Sequence, residues 1–307
     1  MRNRAERLLR MRRPVILMYH RIGEPGADPW NLAVSPAHFA QHMAILARRG
    51  PVVPLATLAA GTGHDGPACA ITFDDGYGGV IDHALPVLER HGFPATVFVN
   101  PGLADGAREF WWDELARLVL DHVPARVTGI PVIGTAPQAG SLGPETSPAE
   151  RRTLHDTLWR MLRAEDSCAR AAWLDLLAER LDCPLTMRPS HRLMTSAEIG
   201  AAAGGLLEIG AHGMSHAALP ALDPAARTAE IVESRDRCAA ITGRPPAAFA
   251  YPFGDHDSAT VDAVRGAGFA CAVTVRPGPM RAGTDRLHLP RIEVRDWDGD
   301  RFARLVG

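Results

Sequence analysis

Two adjacent carboxylates, Asp74 and Asp75, follow an apolar run at Cys69–Phe73 that is typical of a strand. In βα folds the catalytic groups lie at the carboxyl ends of the strands, so both carboxylates can enter one pocket there. One carboxylate can bind a cation while its neighbour accepts a proton. An Asp-Asp-Gly sequence is also a common turn, and this segment alone leaves a purely structural role equally open.

A second group of candidate ligands follows another apolar run, Leu206–Ile209. His212 and His216 are four residues apart, a spacing that places two imidazoles on one side of a helical turn and suits a single metal ion. Such a pair by itself is more often part of a polar surface or core. Together with one carboxylate of the first segment, the two imidazoles make the ligand set of a hydrolytic metal site with open positions for water and substrate.

Short apolar runs recur along the chain and alternate with helical patterns. Because these runs are continuously apolar, they predict strands covered on both faces, as in parallel sheets. Helices are predicted to begin at Ser35, Asp223 and Ser258, and one is predicted to end at Gly243. The alternation predicts a βα-repeat fold, either a barrel or a doubly wound sheet. The predicted strands are Val15–Tyr19, Cys69–Phe73, Ala95–Val99, Leu206–Ile209, Ala247–Tyr251 and Ala270–Val275.

The middle of the chain differs in composition from the rest. Residues 124–148 are rich in Gly, Pro, Ser and Thr, which is typical of a loop, and helical patterns with Trp and Leu lie on either side. Long loops in compact folds generally carry a function or a small fold of their own. We therefore expect a helical insertion at roughly 103–200 within one domain that spans 14–307.

The composition excludes several classes of function. All 33 basic residues are arginine, so mechanisms that need a Schiff-base, P-loop or kinase lysine are excluded. The 35 acidic residues give a formal net charge of -2, which argues against nucleic acid as a partner. The five cysteines are scattered without a C-x-x-C pair, and we interpret them as small buried hydrophobes in a reducing compartment.

The N-terminal residues 1–13 are rich in arginine and precede an apolar run, Val15–Tyr19, that is too short for a signal peptide. No stretch reaches the roughly 20 apolar residues of a membrane span. These features predict a cytoplasmic protein. The basic tail is either a solvated segment or a peripheral contact with the anionic inner face of a membrane, and the sequence does not define an oligomeric state.

Three motifs make the sequence resemble the polysaccharide deacetylases, also called carbohydrate esterase family 4 or the NodB-homology domain. The first motif, T-F-D-D-G, stands at Thr72–Gly76, and the second, H-[ST]-x-x-H, stands at His212–His216 with Gly213 in place of Ser or Thr. The third motif, R-x-x-Y-P, survives as Tyr-Pro, but its arginine position holds Ala248. The segment Leu17–Arg21 resembles the branch with an N-terminal Y-H motif. The resemblance implies a distorted, incomplete (β/α) barrel of about seven strands.

The resemblance also implies an activity, the metal-dependent hydrolysis of the N-acetyl group of a sugar in a saccharide or its precursor. One divalent ion, usually zinc with cobalt or nickel as alternatives, would be bound by Asp75, His212 and His216. Asp74 would be the general base, and a backbone N–H at Tyr77 would help to hold the oxyanion. A metal-dependent hydrolase of a non-sugar C–N bond and an inactive carbohydrate-binding homologue are the alternatives.

The sequence departs from the family pattern at the general acid and at the cationic partner of the base. Near the C-terminus the sequence lacks the L-x-H motif, so we predict His20, of the Y-H motif, as the acid that protonates the leaving amine, with His288 as the alternative. Because the arginine of the third motif is missing, we predict Arg291 as the cationic partner of Asp74, since a bidentate guanidinium can orient a carboxylate.

Substrate contacts are predicted at four further positions. Trp30 lies in a loop after the first strand, where an exposed indole can stack on a sugar ring. Tyr77, directly after the first motif, and Tyr251 and Pro252, of the third motif, complete the predicted substrate-binding set.

Overall fold

The computed structural model describes residues 14–24, 26–60, 68–130, 141–281 and 283–306, which fall into two compact units. The first unit takes its described residues from Met1–Glu24, Asn31–Asp105 and Leu193–Gly307, and the second from Pro25–Trp30 and Gly106–Arg192. The predicted basic tail, residues 1–13, lies outside the described residues. Apart from Pro25–Trp30, the second unit falls within the range predicted for the insertion.

Seven parallel strands of the first unit form a barrel, which confirms the predicted (β/α) barrel and its strand number, but the barrel is closed rather than incomplete. The ring closes where Leu17 pairs with Ile292 and Met18 pairs with Glu293. The strands are β1 (Val15–Tyr19), β2 (Arg21–Ile22), β3 (Ala33–Val34), β4 (Cys69–Phe73), β5 (Ala95–Val99), β6 (Leu207–Ala211), β7 (Ala248–Ala250), β8 (Cys271–Pro277) and β9 (Leu289–Glu293). β2 and β3 pair separately, and the other seven follow one another around the barrel. The first three predicted strands have the predicted bounds, and the other three differ by one or two residues.

The three helices whose starts were predicted begin at or directly after the predicted residues. Ser35 caps the first helix by accepting from the backbone N–H of His38, and Asp223 caps the longest one. That helix ends at Gly243, whose φ of 75° is left-handed. The helices are α1 (Pro36–Leu46), α2 (Leu55–Ala59), α3 (Leu85–His91), α4 (Trp111–Ala116), α5 (Pro148–Arg163), α6 (Ser167–Arg180), α7 (Ser196–Ala202), α8 (Pro224–Thr242), α9 (Ser258–Gly266) and α10 (Gly299–Leu305).

Alternate side chains of the barrel strands enter two separate apolar clusters. Ile16, Phe98 and Leu289, from three different strands, pack in one cluster, which fills the inside of the barrel. Leu17 and Val97, their neighbours along the chain, pack in the cluster between the strands and the surrounding helices. Because both faces are covered, the strands are mostly apolar, and Thr274 in β8 and Arg291 in β9 are buried polar exceptions.

The second unit is helical and has an apolar core of its own, built from α4, α5, α6 and the segments between them. Ser147 and Glu150 form a capping box at the start of α5. Cys168, near the start of α6, is exposed, whereas the other four cysteines are buried. The expectation that every cysteine is buried is therefore wrong for Cys168, because it lies on the solvent side of the first turn of its helix.

Candidate metal centre and active site

The two carboxylates of the first motif lie at the carboxyl end of β4. The backbone N–H of Asp74 donates to the carbonyl of Tyr19 at 2.9 Å and so continues the pairing of β1 with β4. Asp75 and Gly76 then turn sharply, with φ values of 70° and 68°. Left-handed backbone is unfavourable for a non-glycine residue and is concentrated at functional sites. Asp74 and Asp75 are 3% and 4% exposed, so this turn holds two carboxylates away from bulk water.

One carboxylate faces both histidines of the second motif. Asp75 Oδ1 lies 3.4 Å from His212 Nε2 and 3.3 Å from His216 Nε2. The three ligand atoms lie within 4.8 Å of one another, and all three residues are buried. Burial alone would raise the pKa of Asp75, but the hydrogen bonds from the two imidazoles hold it well below its usual value. The carboxylate is therefore ionised at neutral pH.

This donor set fits a divalent transition metal. His212 Nδ1 lies 2.8 Å from the carbonyl oxygen of Ala250, an acceptor, so we place a ring proton on Nδ1. A bound metal ion would replace the Nε2 proton that faces Asp75 and take the lone pair of that nitrogen. A backbone carbonyl that fixes the tautomer of a histidine in this way is a usual feature of metal-ligating imidazoles. Two imidazoles and one carboxylate leave open coordination positions for water and substrate.

The turn that carries the histidines is not the predicted helical turn. Residues 212–216 are irregular, and both Gly213, with φ 74°, and His216, with φ 57°, are left-handed. The side-chain amide of Asn100, at the end of β5, donates to the carbonyls of His212 and Gly213. The two imidazoles therefore come together because residues distant in sequence hold the turn, and a spacing of four residues does not encode those contacts.

The other carboxylate is paired with Arg291 of β9. The guanidinium donates from Nη1 to Asp74 Oδ1 at 2.7 Å and from Nη2 to Oδ2 at 2.6 Å. It also donates to the Thr274 carbonyl at 3.0 Å and to Thr72 Oγ1 at 3.1 Å, and Arg291 is only 1% exposed. Burial would raise the pKa of Asp74, but the charge and hydrogen bonds of Arg291 lower it below its usual value. The structure thus brings the predicted arginine to the predicted base.

The two candidate acids lie in different surroundings. His20 directly follows β1 and is half-buried, and the carbonyl of the preceding residue, Tyr19, accepts from the N–H of Asp74. His288 precedes β9, and its Nδ1 lies 2.9 Å from Asp285 Oδ2. Its ring is 5.3 Å from that of His256. The structure therefore places His20 at the end of the strand that pairs with β4, and it gives His288 a separate set of neighbours.

The predicted substrate-binding residues of the barrel are largely buried. The Tyr77 ring lies under the guanidinium of Arg21, 4.3 Å from its carbon. The Tyr251 hydroxyl donates to the Leu287 carbonyl at 3.0 Å, so its phenol is engaged in packing. The third motif, Tyr251-Pro252, could therefore contact a substrate only through backbone atoms or through Pro252, which packs against the turn at Gly213.

Trp30 belongs to the second unit and contacts other aromatic rings there. Its ring centroid is 4.9 Å from that of Trp159 and 6.1 Å from that of His155. The side chain is 37% exposed, so part of the indole is open to a ligand. Its contact with a sugar stays a prediction.

Sequence reasoning missed two residues that position the second motif, Asn100 and Glu230. Asn100 directly follows a predicted strand, and this strand-end position was a signal that could have identified it. Glu230 lies inside α8, 14 residues beyond His216, and no local pattern distinguishes it from other helical glutamates.

Within the described residues, no helix has the length and apolarity needed to cross a bilayer.

Comparison with known proteins identifies related sequences and folds. The family model for polysaccharide deacetylase matches residues 62–124 and 195–272, which include both carboxylates and both histidines. None of the proteins with curated descriptions matches the chain.

Several solved structures have a similar fold. A polysaccharide deacetylase from Bacillus cereus is 18% identical with a TM-score of 0.62, over 96% of this chain and 69% of that one. The deacetylase PplD of Streptococcus pyogenes, in complex with acetate, is 18% identical with a TM-score of 0.58, over 96% and 98% of the two chains. A de-N-acetylase from Aggregatibacter actinomycetemcomitans is 15% identical with a TM-score of 0.57, over 94% and 99%. At these low sequence identities, the comparison shows only that the folds are similar.

Proposed function

Because the chain belongs to the polysaccharide deacetylase family, whose members hydrolyse carbon–nitrogen bonds other than peptide bonds, we propose that it removes the N-acetyl group of an N-acetylated sugar. The products are acetate and a free amine on the saccharide or its precursor. The observation that carries the proposal is the arrangement of a buried Asp75–His212–His216 set beside a buried Asp74–Arg291 pair. A ligand set and a separate oriented carboxylate are what metal-assisted amide hydrolysis requires.

Asp75, His212 and His216 would hold one divalent ion, with zinc as the first choice and cobalt or nickel as alternatives. Imidazole and carboxylate donors suit these metals, and the tautomer of His212 is already fixed by Ala250. When bound, such an ion supplies a Lewis acid that polarises the acetamide carbonyl.

Asp74 is the proposed general base. It accepts a proton from the attacking water, and it can do so only while ionised. Arg291 keeps Asp74 ionised at neutral pH and fixes the plane of its carboxylate through two parallel hydrogen bonds. The guanidinium is itself held by Thr72 and Thr274, so the base is preorganised before substrate binds.

His20 is the proposed general acid. Breaking the C–N bond leaves an electron pair on nitrogen, which must gain a proton to leave as an amine. His20 is half-buried and directly follows Tyr19, whose carbonyl accepts from the N–H of Asp74, so its ring is proposed to donate that proton. The backbone N–H at Tyr77 would donate to the oxyanion of the tetrahedral intermediate. Trp30, Tyr251 and Pro252 stay proposed contacts for the sugar.

Acetate release from N-acetylglucosamine oligomers, measured together with bound metal, tests the proposal. The wild-type chain should contain about one divalent ion and release acetate, whereas Asp74→Asn should keep the ion and lose activity. A chain that binds the ion but releases acetate from no acetylated saccharide would point to a non-sugar C–N substrate. A chain that binds no ion would point to a carbohydrate-binding protein without catalysis.

A lipid-linked or nucleotide-linked saccharide precursor in the cytoplasm, at the inner face of the membrane, is the proposed substrate source. The arginine-rich residues 1–13 support a contact with the anionic surface of a membrane. Fractionation of cells that express the chain, with and without residues 1–13, would test both the compartment and the membrane contact.

A further inference from the structure

The turn that carries the metal-binding histidines has an unusual source of hydrogen-bond acceptors. Its second position is Gly213, which has no hydroxyl to bind the turn. The backbone N–H groups of Met214 and Ser215 both donate instead to Glu230 Oε2, at 2.8 and 3.0 Å. The Ser215 hydroxyl donates to Glu230 Oε1 at 2.6 Å. One carboxylate on α8 therefore binds three donors of the turn.

The opposite side of the turn is held by the segment after β5. Asn100 donates to the carbonyls of His212 and Gly213, and the Gly102 N–H donates to the Met214 carbonyl at 3.2 Å. The carbonyls of the turn thus accept from the segment after β5, and the N–H groups of the turn donate to Glu230 on α8. Because unusual backbone conformations persist only where their surroundings impose them, these contacts explain how His216 keeps its left-handed φ.

Gly213 and Glu230 depend on each other. A Cβ atom at Gly213 would lie 3.1 Å from Glu230 Oε2 and 3.5 Å from Pro252 Cγ. The φ of 74° at this position is also one that glycine adopts most readily. The carboxylate of Glu230 therefore lies against the space that a serine or threonine side chain would need, and it supplies the acceptor from outside the turn.

We propose that Glu230 is a positioning residue that sets the affinity of the Asp75–His212–His216 site for its divalent ion. It acts through the turn, since it contacts Met214 and Ser215 and none of the three ligands by a described hydrogen bond. The inference rests on the proposed metal site. Outer groups that orient metal ligands typically change metal affinity by about 10- to 100-fold when removed.

The test compares three helix variants as apo proteins reloaded with metal. Affinity for Zn²⁺ is measured by competition with a chromogenic chelator, and the ligand geometry is followed by the visible absorption spectrum of the Co²⁺ form. Glu230→Ala should weaken Zn²⁺ binding by about 10- to 100-fold and alter the Co²⁺ spectrum. Glu233→Gln changes an exposed glutamate of the same helix and should leave both readouts unchanged.

Glu230→Gln separates positioning from charge. Its amide oxygen can accept from both backbone N–H groups, while its NH₂ group donates to the Ser215 hydroxyl, so all three contacts can persist. We expect Zn²⁺ affinity within about 3-fold of wild type, which is a rescue relative to alanine. Ser215→Ala removes one contact of three and should weaken binding by an intermediate factor, which keeps the proposal testable if Glu230→Ala does not fold.

The outcomes separate the two proposals. If wild type binds Zn²⁺ tightly and a folded Glu230→Ala or Ser215→Ala binds it equally well with an unchanged Co²⁺ spectrum, the positioning role is overturned and the metal site stands. If Glu230→Gln binds as weakly as alanine, Glu230 acts through its charge and the positioning argument is wrong. If wild type binds neither ion, the metal site is overturned and the role of Glu230 with it.

Discussion

Replacing Arg291 by methionine would leave a buried carboxylate without its cation. In the present structure the guanidinium is 1% exposed and its two bonds to Asp74 measure 2.6 and 2.7 Å. Methionine fills similar volume but donates nothing, so Asp74, at 3% exposure, would be desolvated and unpaired. Removing one partner of a buried ion pair costs about 3–5 kcal/mol of unfolding free energy. We expect Arg291→Met to lose that much stability at pH 7.

The same change should move the pH dependence of catalysis in a defined direction. Burial raises the pKa of Asp74 and Arg291 is the main cause that lowers it, so loss of Arg291 should raise this pKa. A base with a higher pKa becomes protonated, and inactive, at a higher pH. The acidic limb of kcat/KM for acetate release should therefore shift toward higher pH, with a lower maximal rate from the lost orientation.

Urea unfolding followed by circular dichroism, combined with a double-mutant cycle, tests the pair. Asp74→Asn removes the charge that Arg291 neutralises, so the double variant Asp74→Asn/Arg291→Met should be less destabilised than the sum of the single variants by about 2 kcal/mol or more. Arg49→Met, at an exposed arginine, is the matched control and should change stability by less than about 0.5 kcal/mol. Strictly additive effects, or an unchanged acidic limb in Arg291→Met, would refute the reasoning.

Three further predictions concern single side chains. His20→Ala should lower kcat for acetate release by about 10²- to 10⁴-fold while His288→Ala stays near normal, and the opposite result would make His288 the acid. Native protein should expose one fast thiol to Ellman's reagent, absent in Cys168→Ser, and two or more would contradict the burial of the other four cysteines. Burial lowers the pKa of His42 from 6.5 to about 4. Between pH 6.5 and pH 4 this histidine is protonated in the unfolded state but not in the folded state, so the free energy of unfolding falls as the pH drops. At about 1.36 kcal/mol per pKa unit, the loss amounts to at most about 3 kcal/mol. It should be absent when urea unfolding of His42→Gln is measured over the same pH range. An equal loss in wild type and variant would exclude His42 as its source.

Much of the fold could be predicted because its signals are local. The strands β1, β4 and β5 are continuous apolar runs whose bounds follow from composition, and Gly243 ends α8 because its backbone is left-handed. The site was predictable to the extent that the barrel brings strand ends together. Asp74 and His212 each follow a strand, and the topology places those strands on one ring.

The rest of the site depends on contacts that no local pattern encodes. The helical turn expected at 212–216 was wrong because a spacing of four residues does not determine φ at Gly213, whereas Asn100 and Glu230, far away in sequence, do hold it. The exposure of Cys168 likewise depends on which face of α6 packs against the core of the second unit. Such features become visible only when tertiary contacts are known.

The complete absence of lysine acquires a specific meaning at Arg291. Asp74 needs a cation that binds both of its oxygens while buried, and the same cation must satisfy Thr72 and the Thr274 carbonyl. A planar guanidinium offers five donors in a fixed fork, whereas an ammonium offers three around a point charge. Arginine is therefore the residue that this geometry requires, whatever bias removed lysine from the rest of the chain. We therefore expect Arg291→Lys to keep the positive charge but to lose the two parallel hydrogen bonds that orient the Asp74 carboxylate.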